Sequence, residues 1–569
     1  MSQRSQLRQR NTRHAGRYAP KDRPGAPPTR AKPNRSVHIA ISLIVLAAML
    51  VFAQKQGNPQ RPWSVDSGSR PLPKTYAVCS SEKRIYTVPP AGGLGATECV
   101  VVADKRVKDV GSLAHVRRTY GDRSAKIKAP DGKTGIKVIQ IPAGYSLTPG
   151  WTDSHAHPLH YGEFRSLSLV GSKSVQEIVD KVEEHVRTKG VKSGEWVTGM
   201  GWDQTLWDVK EFPTADVPIV LSRIDVHAVW VSPAVLEQIG EIPLEDVDGG
   251  KVVRDAEGKP TGVFVDNAIR AYVTPVQPEK TDTERENFLR IVSDDALRLG
   301  MTGIHDAGLL PVEVEFFRRM ADEGKLPLRY YTMLLCKNQT EYCGANVERA
   351  EGAGDGRWTL RSVKLYGDGA LGSRGAALIE DYSDQPGWKG FLLTPEESWA
   401  PTIKKWYDEG WQVNVHAIGD KANRVVIDAM EAAIGDDPAK GRESRLRIEH
   451  AQIMTPADLE RAAKLGIIAS YQPTHATSDM HYAEERLGPE RLHGAYAWQS
   501  YLKAGGRTTL GSDFPVEEPS PLKGFFAAVA RTDEKGDSPH GPGGWVPEEK
   551  LSREQALRGF TADRELCRS

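Results

Sequence analysis

The sequence predicts an α/β protein: a (β/α)8 TIM barrel with a small β-sandwich domain. Three observations predict it. Apolar strand-like runs alternate with helical stretches over most of the chain, which argues for parallel strands with crossover helices. Residues able to bind metal close five of these runs, where a barrel carries its active site. A length of 569 residues exceeds one average domain yet suits one barrel plus a smaller unit. Hydrophobic residues make up 39% of the chain and charged residues 26%, ordinary globular proportions, so disorder is expected at one end only.

That end is residues 1–36, read as a basic, disordered cytosolic tail with ten Lys or Arg against the single acid Asp22. Removing them from totals of 75 basic and 75 acidic residues leaves 65 and 74, a formal −9 for the remainder. The neutral total hides a basic tail on an acidic body, and no nucleic-acid partner is expected. Residues 37–53, VHIAISLIVLAAMLVFA, reach the lower limit for a spanning helix. Core helices keep a polar face that this run lacks, and basic residues flank it on one side only. The expectation is an N-terminal transmembrane helix acting as a signal anchor. The chain would then be a single-pass membrane protein with a cytosolic N-terminus and a lumenal or extracellular catalytic body. A cleaved signal peptide is the alternative, although the basic region before the apolar run is long for one.

Residues 54–75, rich in Pro, Gly, Ser and Arg, read as a linker. Residues 76–148 hold short β-rich runs at 84–88, 99–102 and 136–141 between Gly and Pro clusters, the N-terminal part of the sandwich. Residues 149–569 form the barrel. Helical patterns fall at 174–187, 283–298, 313–323 and 456–464. Candidate strands fall at 196–199, 219–222, 302–305, 329–334, 362–366, 412–416, 445–450, 467–471 and 507–511. Five cysteines are too few for a disulfide scaffold. Cys79 with Cys99, and Cys336 with Cys343, are near in sequence and leave Cys567 over; unpaired buried thiols are the other reading. Asn338-Gln339-Thr340 is a glycosylation sequon, usable if the body is translocated.

The chemistry-bearing residues follow in order. His155 and His157 stand two apart on a strand, so they project to one face and can share an ion. Lys364 ends the strand SVKLYGDGA, where a bare ammonium would be costly. Carboxylation would make it an anionic oxygen ligand, a lowered pKa would neutralise it, and snorkelling to the rim would hydrate it. His416 in VNVHAIGD and His450 in LRIEHAQ each close an apolar strand. Either could be a metal ligand or a core histidine. Asp513 in TLGSDFP could bind metal and take a proton from water, or could cap a helix.

Taken together, DSHAH, VKLYGDGALGSRGAAL, VNVHAIGD, RIEHAQ and LGSDFPVEEPSPL resemble the amidohydrolase superfamily. The resemblance is to its amidohydrolase 3 branch, which includes N-substituted formamide deformylases. GWDQTLW, SRIDVHAVWVSPAVL, GIHDAG and QPTHATSDM extend the likeness over residues 76–561. The resemblance implies that His155 and His157 bind one ion, His416 and His450 a second, and a carboxylated Lys364 bridges them. Asp513 would ligate the first ion and shuttle the proton as the catalytic residue. Zinc is the first choice of cofactor, with iron or manganese as alternatives. The reaction would be hydrolysis of a small-molecule amide at a carbon–nitrogen bond other than a peptide bond. Trp202, Asp203, Trp207, Asp225, His227, His305 and His475 match the branch's pocket residues. Assembly with a second copy of the chain stays open. Two departures stand out: a short segment at 212–218, and an ending soon after ALRGFT, where relatives continue into strands that complete the sandwich. The C-terminal part of the sandwich is therefore expected to be missing. An alternative of another class follows, a membrane-anchored metal-binding module with little or no turnover.

Overall fold

The computed structural model describes residues 72–561 apart from 90–94, 193, 204–216 and 436. The basic tail, the apolar run 37–53, most of the linker, Trp207 and Cys567 lie outside the described residues. Among the described residues no helix is long and apolar enough to cross a membrane.

The chain first forms a sheet from β1 (Thr75–Cys79), β2 (Cys99–Ala103), β3 (Arg106–Gly111) and β4 (Lys137–Gln140), in the order β3-β2-β1-β4. Helix Leu113–Tyr120 starts where Ser112 Oγ accepts a hydrogen bond from His115 N, which satisfies one of the free N–H groups of its first turn. Its Val116 joins Ala77, Cys79, Cys99 and Val101 in a small core of their own. Cys79 and Cys99 face each other in register and are disulfide-bonded, as are Cys336 and Cys343. Where the sequence predicts part of a sandwich, the described residues show this four-stranded sheet with a helix on one face, and beside it in sequence a separate antiparallel pair, Ile85–Thr87 with Gly95–Thr97.

β5 (Trp151–Ala156) opens the barrel, and the chain then leaves it for an inserted sheet. That sheet holds β6 (Val197–Trp202), β7 (Ile219–Arg223), β8 (Ala228–Val231), β9 (Gly250–Arg254) and β10 (Pro260–Asp266), in the order β9-β10-β8-β7-β6. Only β6 and β7 pair in parallel; the other pairs are antiparallel. The runs 196–199 and 219–222, expected among the barrel strands, therefore belong to the insertion. The physical reason is that both faces of this sheet are covered. Leu221 and Trp230 pack in one apolar cluster and Val220, Val229 and Phe264 in another, so β7 and β8 read as continuous apolar runs like parallel barrel strands.

The barrel resumes with β11 (Met301–Leu309), β12 (Arg329–Leu334), β13 (Trp358–Tyr366), β14 (Gln412–Ala417), β15 (Arg447–His450), β16 (Ile468–Tyr471) and β17 (Arg507–Leu510). With β5 they make eight strands that neighbour one another in chain order, every pair parallel. The seam between β17 and β5 closes through Asp513 N donating to His155 O at 2.7 Å and His157 N to Phe514 O at 2.8 Å. Outward residues Val363, Leu365, Val413, Val415 and Ile448 pack in one core with Phe317, Val426 and Leu459 of the surrounding helices. The alternate positions Ser362, Lys364, Asn414, His416, Arg447 and Glu449 are buried and polar. Strand alternation thus sends apolar side chains to the helices and polar ones into the barrel.

Candidate metal centre

Five of the six predicted ligands meet at the C-terminal mouth of the barrel. Donor atoms of His155, His450 and Asp513 all lie within 4.8 Å of one another. His155 Nε2 is 3.4 Å and His157 Nε2 3.2 Å from Asp513 Oδ1. Lys364 Nζ is 3.4 Å from His155 Nε2. The sixth, His416, packs against His450 with ring centroids 4.5 Å apart.

The backbone is bent to achieve this. On β15, Arg447 and Glu449 face the barrel interior, so a continued strand would send the next side chain outward. His450 instead has φ 69°, and this left-handed turn brings its ring beside His155, 4.8 Å between centroids. Asp513 is turned in the same way, with φ 63°. Such conformations cost about 1 to 3 kcal/mol each in a residue with a side chain and persist only where surrounding contacts hold them. One such contact is Asp153, which accepts from Ser512 Oγ at 2.6 Å and from His155 N at 3.1 Å, tying the two strand ends together. Gly511 makes the approach feasible, since a Cβ there would lie 2.6 Å from Asp153 Oδ1 and from His155 N.

Behind the ligands lies a buried charge network. Glu449 accepts from Arg447 Nε at 2.7 Å, from Arg447 Nη2 at 2.8 Å and from His155 Nδ1 at 2.5 Å. Burial pushes the Glu449 carboxyl up, but the Arg447 guanidinium and His155 outweigh it and hold the group below the usual carboxylate range. His155 is thereby fixed with Nδ1–H toward Glu449 and the Nε2 lone pair toward Lys364 and Asp513. Burial holds His416 and His450 well below the ordinary histidine value, so both present neutral imidazoles. His416 Nε2 and His450 Nδ1 make no hydrogen bond among the described residues. Burial also pushes Lys364 down to about 8. Neutral imidazoles, a carboxylate and a lysine amine, with buried nitrogens lacking a hydrogen-bond partner among the described residues, fit a divalent metal ion.

A family model described as the amidohydrolase family matches residues 143–565. The chain belongs to that family. The Bacillus subtilis protein YtcJ, named as an amidohydrolase, is 31% identical over 79% of this chain and 82% of its own length. The N-substituted formamide deformylase of Arthrobacter pascens is 25% identical over 82% of this chain and 84% of its own. Among solved structures, an uncharacterized metal-dependent hydrolase from Pyrococcus furiosus superposes with a TM-score of 0.64 at 25% identity, covering 86% of this chain and 94% of that one.

Other predicted residues of this amidohydrolase fall in different places. His475 Nε2 lies 3.8 Å from Asp513 Oδ2, its ring stacked on His450. His227 reaches the mouth from the insertion, 5.5 Å from the His416 ring, with Nδ1 bonded to Asp266 at 2.5 Å. Burial lowers His227, but Asp266 more than offsets it and raises the group to about 8. Asp225 and Asp203 both pair with Arg223. His305 Nδ1 meets Arg447 Nη1 at 3.1 Å inside the barrel. Trp202 donates its indole N–H to Leu221 O at 2.7 Å and packs in the core of the inserted sheet. Sequence reading missed Arg447, Glu449, Asp153 and Asp266. The signal available was two opposite charges, alternate in sequence, beside His450 in the strand RIEH.

Proposed function

We propose that this amidohydrolase hydrolyses a non-peptide carbon–nitrogen bond, an N-formyl or N-acyl amide, with one or two zinc ions at the barrel mouth. The observation that carries the reading is the convergence of His155, His450 and Asp513 donors within 4.8 Å. His155, His157, His416, His450, Lys364 and Asp513 would hold the metal. When bound, the metal acidifies water and polarises the scissile carbonyl. The Asp513 carboxylate is placed to take the proton of the attacking water and deliver it to the departing nitrogen. Glu449 keeps the His155 tautomer fixed throughout. Lys364, with its pKa pushed down to about 8 by burial, offers a neutral amine to carbon dioxide. Its nitrogen forms the new N–C bond and releases a proton, and the product is an anionic oxygen donor. His227 and His475 flank the mouth as substrate contacts. The basic tail followed by the apolar run supports a membrane-anchored body outside the cytosol.

The test is metal analysis of the purified chain combined with a screen of N-formyl and N-acyl amines. The expected outcome is bound metal near stoichiometry, turnover of at least one amide, and loss of turnover in His155→Ala and Asp513→Asn. Metal-loaded protein that hydrolyses no amide would overturn the reading.

A further inference from the structure

Arg270 stands in the helical turn Ile269–Val273 just after β10, the strand whose Asp266 holds His227. Its guanidinium carbon lies 4.9 Å from the centroid of the Tyr366 ring. Lys364 Nζ lies 4.6 Å from the same centroid, which caps the separation of the two groups at 9.5 Å. Tyr366 in turn packs against His416, with centroids 5.6 Å apart. Arg270 is partly buried, and among the described residues it has neither a hydrogen bond nor an ion pair. Three other cationic groups are matched. Arg223 pairs with Asp203 and Asp225, His227 with Asp266, and Arg447 with Glu449.

The contact with the Tyr366 face holds the guanidinium in place but engages none of its five N–H donors. A planar fork of donors at the edge of a reaction centre suits a carboxylate, which it can bind through two parallel hydrogen bonds. The 9.5 Å cap admits a small substrate between the two groups. In an N-acyl amino acid the acyl carbon and the carboxylate carbon are three bonds apart, about 3 to 4 Å. A bidentate carboxylate–guanidinium pair adds about 4 Å between carbons. The resulting reach of about 8 Å falls within that cap, so a carbonyl can approach Lys364 while its carboxylate meets Arg270.

We propose that Arg270 binds a carboxylate of the substrate, so that the amide cleaved at this centre is a carboxylate-bearing one. This rests on the hydrolase reading above and adds the substrate class to it. The carboxylate can sit on the amine side, as in an N-acetyl amino acid, or on the acyl side, as in an N-alkyl succinamate.

The experiment compares the full chain with Arg270→Met and Arg270→Lys on both acids and on their neutral carboxamide counterparts. Arg270→Met raises KM for one of the acids about 10- to 100-fold, the effect of one lost charge-assisted pair, and leaves the neutral amides unchanged. Arg270→Lys recovers part of the loss, because a point charge replaces the fork. Whichever acid shows the effect identifies the side that carries the carboxylate. Equal effects on acids and neutral amides overturn the proposal and reduce Arg270 to a prop for Tyr366. Calorimetric binding of N-acetyl amino acid and of N-alkyl succinamate gives a readout independent of turnover. If no amide is hydrolysed but an Arg270-dependent preference for an acid persists in binding, the hydrolase reading falls and the carboxylate site stands. If amides are hydrolysed without such a preference, the reverse holds.

Discussion

Glu449→Gln keeps the size of the side chain and removes its charge. In the native centre this carboxylate takes three hydrogen bonds from Arg447 and His155, and both Arg447 and Glu449 are 0% exposed. Two costs can be separated. A buried guanidinium without its counter-charge costs about 3 to 5 kcal/mol of stability. Arg447 keeps its bonds to Ser154 O and Ser470 Oγ, so the lower end, about 3 kcal/mol, is expected. His155 also loses its anionic acceptor. Loss of such a supporting group weakens metal binding about 10- to 100-fold, or about 1.4 to 2.7 kcal/mol. Denaturant unfolding of the metal-free variant measures the first cost, and competition with a chromophoric chelator the second. The double variant Arg447→Met/Glu449→Gln discriminates further. Removing both charges recovers most of the stability, whereas metal affinity stays low because the amide oxygen that replaces the carboxylate gives His155 a neutral acceptor in place of an anionic one. Native metal affinity in Glu449→Gln would refute the orienting role and leave Glu449 as a counter-ion for Arg447 alone.

Three further outcomes are expected. Gly511→Ala forces a methyl to 2.6 Å from Asp153 Oδ1 and His155 N, an overpacking cost of about 1 to 3 kcal/mol; a thermal melt identical to the native one would contradict it. Lys364→Ala abolishes turnover, and added propionate restores part of it by supplying carboxylate oxygens in the vacated space, while chloride at equal ionic strength does not. Rescue by both salts alike would argue against an anionic oxygen donor at this position. Asn338 and Thr340 are exposed in the loop joined by Cys336–Cys343. With the body outside the cytosol, glycosidase digestion therefore increases the gel mobility of the native protein and has no effect on Asn338→Gln. Unchanged mobility of both proteins would contradict that topology.

The candidate metal residues of the barrel were legible because one rule governs their position. His155, His157, Lys364, His416 and Asp513 each sit within three residues of the end of a parallel strand, and such ends converge at the mouth whatever the registers of the intervening loops. Arg447 and Glu449 were passed over because RIEH was read only for the histidine that closes it. What decides their role is parity together with the left-handed φ of His450, and a sequence does not display φ. Residues of the insertion are harder still. Their positions depend on strand pairings between β6 and β10 that apolar runs leave open. Gly201, with φ 109°, breaks the alternation just before Trp202, and the indole turns into the core of the inserted sheet. His227 reaches the mouth because Val226 adopts φ 56° and Asp266, 39 residues away, holds its ring. The fold therefore divides the site in two. Barrel strands supply the chemistry at positions a strand pattern can find, and the insertion supplies His227 and Arg270 at positions only tertiary structure can find. A test of substrate class therefore belongs at His227 and Arg270 on the insertion, while substitutions at the candidate metal residues of the barrel test the reaction itself.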